Sequence, residues 1–426
     1  MVRALGIVVV LATTLGTAAA DDDVGSGAPP PAASSTPTLE AMQARLDALE
    51  KTVAEQATAI AEAQVVTEAA TATPAPEPTF EVHGFIDMGL QKAYTNAPES
   101  FPSTAATFVL GNVNLYFTFH PTDHWSALTE VRFTNEPNGS AFDPANGIGD
   151  DTMRWGSSVL ERAYIQYDHS RELGFRVGEF LTPFGIWNVD HGSPVVIAIV
   201  RPESITQELF PTHQLGVDLF GERTGLLPDR WTVGYHAYVS NGRTPGSVDL
   251  SNDKMIGGRL TASTTRPYRM TFGLSAMYGT YADHATPEVA YTELGYAADA
   301  SLDAGAWRFR GEITVRDIDY EMGKRLQLAA GEYAPDARSY DAYLLAAYRI
   351  PATRFEPFAY TEAYRTPDDA GDLQLQASAG MTTFFTPSIQ LKVQALHARF
   401  FDSSHFELAA HQEVETYLGA KLVMGL

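Results

Sequence analysis

The chain has 426 residues, 29 basic and 52 acidic side chains, a formal net charge of −23 and no cysteine. The acidic balance excludes the basic footprint of a nucleic-acid binder, and the missing thiols exclude disulfides, a lipoprotein anchor and thiolate metal sites. Aromatics at 11% and 34 glycines argue against disorder.

In chain order, residues 1–20 have the make-up of a cleaved secretory signal. Arg3 supplies a positive start, residues 4–17 an apolar stretch, and Ala18, Ala19 and Ala20 a small-residue cleavage pattern ahead of Asp21, Asp22 and Asp23. Residues 21–38, with "GSGAPPPAASSTP", are a linker by composition. Over 39–64 heptads appear: Leu39, Leu46, Val53 and Ile60 share an a-type position, and Met42, Leu49, Gln56 and Ala63 a d-type position. That seam predicts an α-helical coiled coil; the alternative is a single solvated helix folding back on the protein. A second Pro- and Ala-rich linker covers 65–79. No later stretch approaches the ~18 consecutive apolar residues of a transmembrane helix. An exported chain of this kind is either soluble or an outer-membrane barrel.

From residue 80 to 426 the period changes to 2. "GNVNLYFTF" sets Val113, Leu115, Phe117 and Phe119 against Asn112, Asn114, Tyr116 and Thr118. "WRFRGEITVR", "LQLQASAGM" and the run from Trp231 to Val239 alternate in the same way. A polar face bearing arginines behind an apolar face with aromatic ends is what a lipid-facing strand around a wet lumen requires. About sixteen such segments begin near residues 80, 106, 124, 157, 173, 213, 229, 253, 268, 289, 305, 339, 355, 372, 388 and 413. Short connections such as "HPTDH" and "TTRPY" follow even-numbered strands, and most longer ones follow odd-numbered strands. A soluble sandwich has no reason to keep that parity, whereas outer-membrane barrels do. The fold class expected is therefore all-β: a transmembrane antiparallel β-barrel of about sixteen strands, wide enough for an aqueous channel. The last strand turns Leu418, Ala420, Leu422, Met424 and Leu426 to lipid.

The segments "VHGFIDMGL", "LERAYIQYD", "FRVGEFLTPFGIWNVDH", "RPESI" and "FEPFAYTEAY", with the closing strand, resemble the bacterial outer-membrane porins. The pattern is most similar to the phosphate-selective porin O and P-like group and to trimeric porins with an N-terminal coiled coil. The likeness covers residues 80–426 and, in kind, the coiled coil. It implies a homotrimer of water-filled barrels in outer-membrane lipid, with the N-terminal segment in the periplasm and small hydrophilic solutes passing through. In the resembled porins the third outside loop folds into the lumen and narrows the pore.

Here that loop is the segment 182–212. Its apolar run at 195–200 is costly in water but can pack on the barrel wall. Asp190, His191, Arg201, Glu203 and Glu208 are the candidate constriction residues; the alternative is that the run packs at a subunit interface or over a neighbouring barrel. Alternation also assigns ten basic residues to the lumen: Arg132, Arg162, Arg176, Arg259, Arg308, Arg310, Arg316, Arg349, Lys392 and Lys421. Eight acids oppose them: Glu130, Asp218, Glu293, Asp299, Glu312, Asp341, Glu356 and Glu362. Of the chain's charges, 26 basic and 42 acidic follow residue 79, so the wall is less acidic than the remainder of the barrel unit. Rings of Arg or Lys favour anions such as phosphate or dicarboxylates, while opposed ladders give a transverse field without strong selectivity. Both readings stand at this level. An enzyme is disfavoured: Asp190 and His191 are adjacent and point apart in extended chain, Ser193 lacks a nucleophile elbow, and neither a metal motif nor a cofactor motif occurs. A coiled-coil envelope tether is the second functional reading.

Overall fold

The computed structural model describes residues 40, 43–48, 50–58, 77–96, 105–138, 154–225, 231–243, 254–283, 288–329, 331–365, 373–401 and 412–426. Two compact units result, Met1–Pro74 and Ala75–Leu426. In the first, residues 43–48 and 50–58 are helical, and the a-position side chains Leu46 and Val53 are 58% and 61% exposed. The signal segment, the 21–38 linker, Leu39, Met42, Leu49, Ile60 and Ala63 lie outside the described residues. A short N-terminal helix is present; its pairing into a coiled coil belongs to the proposals below.

The second unit is a closed antiparallel barrel of sixteen strands. They are β1 (Thr79–Thr95), β2 (Thr107–His120), β3 (Trp125–Asn138), β4 (Arg154–Ser170), β5 (Leu173–Leu181), β6 (His213–Thr224), β7 (Trp231–Ser240) and β8 (Met255–Thr264). Then come β9 (Arg269–Asp283), β10 (Val289–Ala304), β11 (Trp307–Tyr320), β14 (Ala337–Tyr348), β15 (Phe355–Arg365), β16 (Leu373–Phe384), β17 (Ile389–Phe401) and β18 (Gln412–Gly425). Strands adjacent in the chain are adjacent in the sheet, and β1 closes the ring by pairing with β18, Asp87 opposite Val423. A small separate hairpin, β12 (Gln327–Ala329) with β13 (Glu332–Tyr333), sits in the β11–β14 connection and was not foreseen from the period.

Period 2 puts alternate side chains in different media. Val217, Ile313, Leu344 and Leu422 are 47%, 56%, 56% and 41% exposed, while their inward neighbours Asp218, Thr314, Leu345 and Val423 are buried. An apolar outer band of this kind is what a bilayer covers. Aromatic pairs mark the end that carries the short turns: Trp125 with Tyr167 at 4.8 Å, Trp307 with Tyr348 at 4.7 Å and Trp231 with Phe272 at 6.2 Å between ring centres. The turns at that end include 121–124, 171–172, 265–268 and 305–306. The connections at the other end are mostly longer, and 182–212 exceeds all of them.

Candidate functional site: the segment 182–212 inside the barrel

The segment 182–212 leaves β5 and enters β6, and its apolar residues make the core of the barrel. Phe184 and Phe210 are fully buried and stack at 4.3 Å. Trp187 meets Tyr343 of β14 edge-on at 6.5 Å. Ile197, Ala198, Ile205 and Leu209 join the same cluster, together with Phe358, Tyr360 and Tyr364 of β15. Each large side chain so buried contributes about 1.5–3 kcal/mol. The apolar run thus does pack on the wall, although Val195 at its start is half exposed. Most of the anchoring apolar surface lies outside that run, at positions 184, 187, 205, 209 and 210.

A loop has backbone groups that a lumen must satisfy. The barrel supplies partners from both sides of its closing seam. Glu312 accepts the backbone N–H of Ile186 at 2.8 Å and of Trp187 at 3.5 Å. Asp341 accepts from the Ser204 N–H at 3.3 Å, and Glu362 from the Glu203 N–H at 2.6 Å. Gln394 Oε1 accepts from Ile199 at 2.6 Å and Val200 at 3.2 Å. Lys392, 1% exposed, donates to the carbonyls of Ser193 (2.7 Å) and Val196. The Ser193 hydroxyl donates to Asp87 at 2.5 Å. From the β7–β8 connection Arg243 reaches Glu293 at 2.7 Å and the carbonyl of Glu208 at 2.8 Å.

These contacts correct the reading of the wall. Lys392, Glu312, Asp341 and Glu362 hold the loop's backbone instead of lining open water. Arg349 lies past the end of β14, in the 349–354 turn, with its guanidinium 3.7 Å from the Phe384 ring centre. The other basic positions form ion pairs. Arg162 meets Glu130 at 2.5 Å, Arg176 meets Asp218 at 3.0 Å, Arg259 meets Asp299 at 2.7 Å and Arg316 meets Glu293 at 2.9 Å. Arg308 pairs with Glu356. Arg132 meets Glu161 at 2.7 Å, Arg310 meets Asp303 at 2.7 Å and Lys421 meets Asp87 at 3.4 Å; these three acids escaped the sequence reading. Glu161 escaped for a definite reason. The β3–β4 register shifts between Glu130 and Val131, so Glu161 and Arg162 are neighbours in sequence yet both reach lumen partners.

The burial of these pairs is lopsided. In the pairs of Arg132, Arg162, Arg176, Arg308 and Lys421 the cation is 19–30% exposed and the carboxylate 0–3%. Arg310 with Asp303 differs, at 24% and 31%, and in the pairs of Arg259 and Arg316 the cation is withdrawn too, at 6% and 12%. Arg176 also lies over the rings of Phe220 (4.9 Å) and Tyr164 (5.3 Å), which fixes its orientation.

The loop's own candidate residues divide. Arg201 is exposed and, with Glu203, lines a cavity of about 500 Å³. Glu203 accepts from Gln374 at 2.9 Å and from Gln207 at 3.1 Å. Glu208 is exposed, with a left-handed φ of 49°. The side chain of Asp190 lies outside the described residues. His191 is half-buried, its Nδ1 2.8 Å from the Asn188 carbonyl. Burial first, and then the Arg201 charge, hold its imidazole below the ordinary histidine range against the opposing pull of Asn188. His191 and Ser193 have separate partners and form no nucleophile–base pair. Among the described residues there is no group of three or more potential metal ligands.

No family model matches the chain. A curated relative from Aquifex aeolicus (strain VF5), described only as an uncharacterized protein, is 28% identical over 173 residues, which are 40% of this chain and 35% of that one. The match thus spans about a third of the relative's length. Solved structures are similar over far more of the chain. An anion-selective porin from Comamonas acidovorans is 12% identical over 82% of this chain and 100% of its own, with a TM-score of 0.55. The outer membrane channel DcaP of Acinetobacter baumannii is 11% identical over 82% and 98%, with a TM-score of 0.54. The chain has the bacterial outer-membrane porin fold. OmpT of Vibrio cholerae shares that porin fold at 9% identity over 83% and 99%, with a TM-score of 0.52. At such identities the likeness is one of architecture.

Proposed function

We propose that this porin-fold chain is a passive diffusion channel of the bacterial outer membrane that favours small hydrophilic anions, phosphate and dicarboxylates among them. The observation that carries the anion preference is the lopsided burial of the ion pairs of Arg132, Arg162, Arg176, Arg308 and Lys421. A solute in the lumen water meets guanidinium and ammonium groups first, because their carboxylate partners are withdrawn into the wall. Opposed charges that cancel in number then do not cancel at the solute, since the nearer one acts over the shorter distance. Arg201 and Glu203 at the loop add one charge of each sign to the passage. In this reading residues 1–20 are removed on export, residues 21–38 and 65–79 are linkers, and 39–64 pairs with the same segment of two other copies on the periplasmic side. The exposed a-position residues Leu46 and Val53 support that pairing, because a lone helix gains nothing from such a stripe.

The test is the zero-current potential of single channels in planar bilayers under a KCl gradient. The potential should move towards the chloride equilibrium value. A conducting channel whose potential moves towards potassium would refute the anion preference, and a barrel that does not conduct would refute the channel and favour a tether.

A further inference from the structure

We infer that the cavity beside residues 199–203 is a binding station for a small zwitterion, a free amino acid or short peptide carrying an ammonium and a carboxylate. The inference rests on the channel reading above and goes beyond it, because a plain anion preference does not call for acids in the same chamber. The cavity of about 500 Å³ lies between the loop and the wall of β1, β2, β3, β16, β17 and β18. That falls within the ~300–1,000 Å³ usual for small-ligand sites.

Three observations converge on the ligand class. Arg132 and Lys421 present water-facing cations, 25% and 23% exposed, whose partners Glu161 and Asp87 are buried. Glu203 from the loop and Glu415 from β18 line the same chamber, so it holds both signs of charge. On β18, inward-facing residues run from Glu415 through Tyr417 to Lys421, which places the acid nearer the long-loop end and the base deeper. Finally, Gln376 of β16 lines the chamber, is 4% exposed, and its Nε2 donor has no hydrogen-bond partner among the described residues. A buried amide donor left unmade costs about 1–3 kcal/mol, so an acceptor from a visiting solute has a standing reward. A peptide or carboxylate oxygen meets that need while its ammonium faces Glu203 and Glu415. The second lumen compartment, about 690 Å³ and lined by Arg162, Arg176, Arg259 and His236, has no such orphan donor among its lining residues.

Triglycine, N-acetyl-triglycine and triglycinamide separate the possibilities in single-channel recordings of the full chain, with residence time read from current noise. Triglycine should dwell longer than either capped form. Gln376→Leu should shorten its dwell about threefold to tenfold, the worth of one neutral hydrogen bond. Glu415→Gln should remove the advantage over N-acetyl-triglycine, and Lys421→Met the advantage over triglycinamide. An N-acetyl-triglycine dwell as long as that of triglycine would overturn the inference in favour of a simple anion site. A channel that conducts KCl but shows no dwell for any of the three would overturn it outright. Absence of KCl conductance would overturn the channel reading and this inference with it.

Discussion

Gly185→Ala should loosen the front of the lumen loop while leaving the barrel closed. Gly185 sits at φ 62°, a left-handed conformation that costs a residue with a Cβ about 1–2 kcal/mol. An added Cβ would also stand 2.0 Å from Glu312 Oε1 and 2.5 Å from its Cδ. Glu312 cannot yield freely, because its carboxylate holds the Ile186 and Trp187 N–H groups and receives the Thr314 hydroxyl at 3.2 Å and the Tyr343 hydroxyl at 3.4 Å. Displacing it forfeits a charge-assisted bond worth about 1.5–3 kcal/mol. Together the two terms make about 2.5–5 kcal/mol, or roughly sixtyfold to four-thousandfold in the frequency of local opening. Hydrogen exchange of the Ile186 and Trp187 amides in detergent reads that frequency directly. Protection at these amides should fall by that factor, while β14 and β15 amides stay protected. Unchanged exchange at Ile186 would show that Glu312 does not anchor the loop.

Four further outcomes are expected. Arg201→Glu should move the zero-current potential towards cations and slow small anions, whereas Arg171→Glu, in the 171–172 turn, should do much less; equal small shifts would mean that residue 201 is remote from the narrowest passage. Lys392→Met should leave the Ser193 and Val196 carbonyls without their donor, at about 1–3 kcal/mol each, and so raise current noise; a quiet variant channel would argue against it. His191 has a depressed pKa when docked, so a released loop binds the proton more readily, and docking is complete above the ordinary histidine value of about 6.5 and weakens as pH falls below it. Loop exchange rates at pH 7.5 and 5 should differ less in His191→Gln than in the parent, and an identical pH response in both would exclude the histidine as the cause. Deleting residues 24–78 should weaken a heat-sensitive high-mass band in mild detergent without abolishing the barrel, and a parent chain that is monomeric by light scattering would refute the trimer.

Sequence periodicity made the barrel legible because every strand must serve two solvents at once, and that demand is written in alternate residues. The strand starts, the parity of the connections and the outward faces of residues such as Ile313 and Leu422 all follow from it. The loop's supports were not legible. Glu312 and Lys392 carry charge and face inward, which in sequence looks the same as lining a pore; only the position of the loop backbone turns them into struts. Glu161 was hidden by a bulge, which breaks the period locally. Asp87 and Asp303 obey the period and could have been counted from it. Arg243 could not, since it reaches the lumen from a connection where no period exists.

The loop's supports also bear on the order of assembly. Residues 193–200 are held on one side by Asp87 in the first strand and on the other by Gln390, Lys392 and Gln394 in the penultimate one, across separations of 106 and of 194–199 residues. Those groups come together only after β1 has met β18, so the middle of the loop has nowhere to settle until the ring is complete. Long-range closure of that kind is slow, because chain entropy is spent before the contacts return it. A nascent barrel with an open seam therefore keeps its loop unlocked, and the last of the loop's anchors form only with the last step of folding.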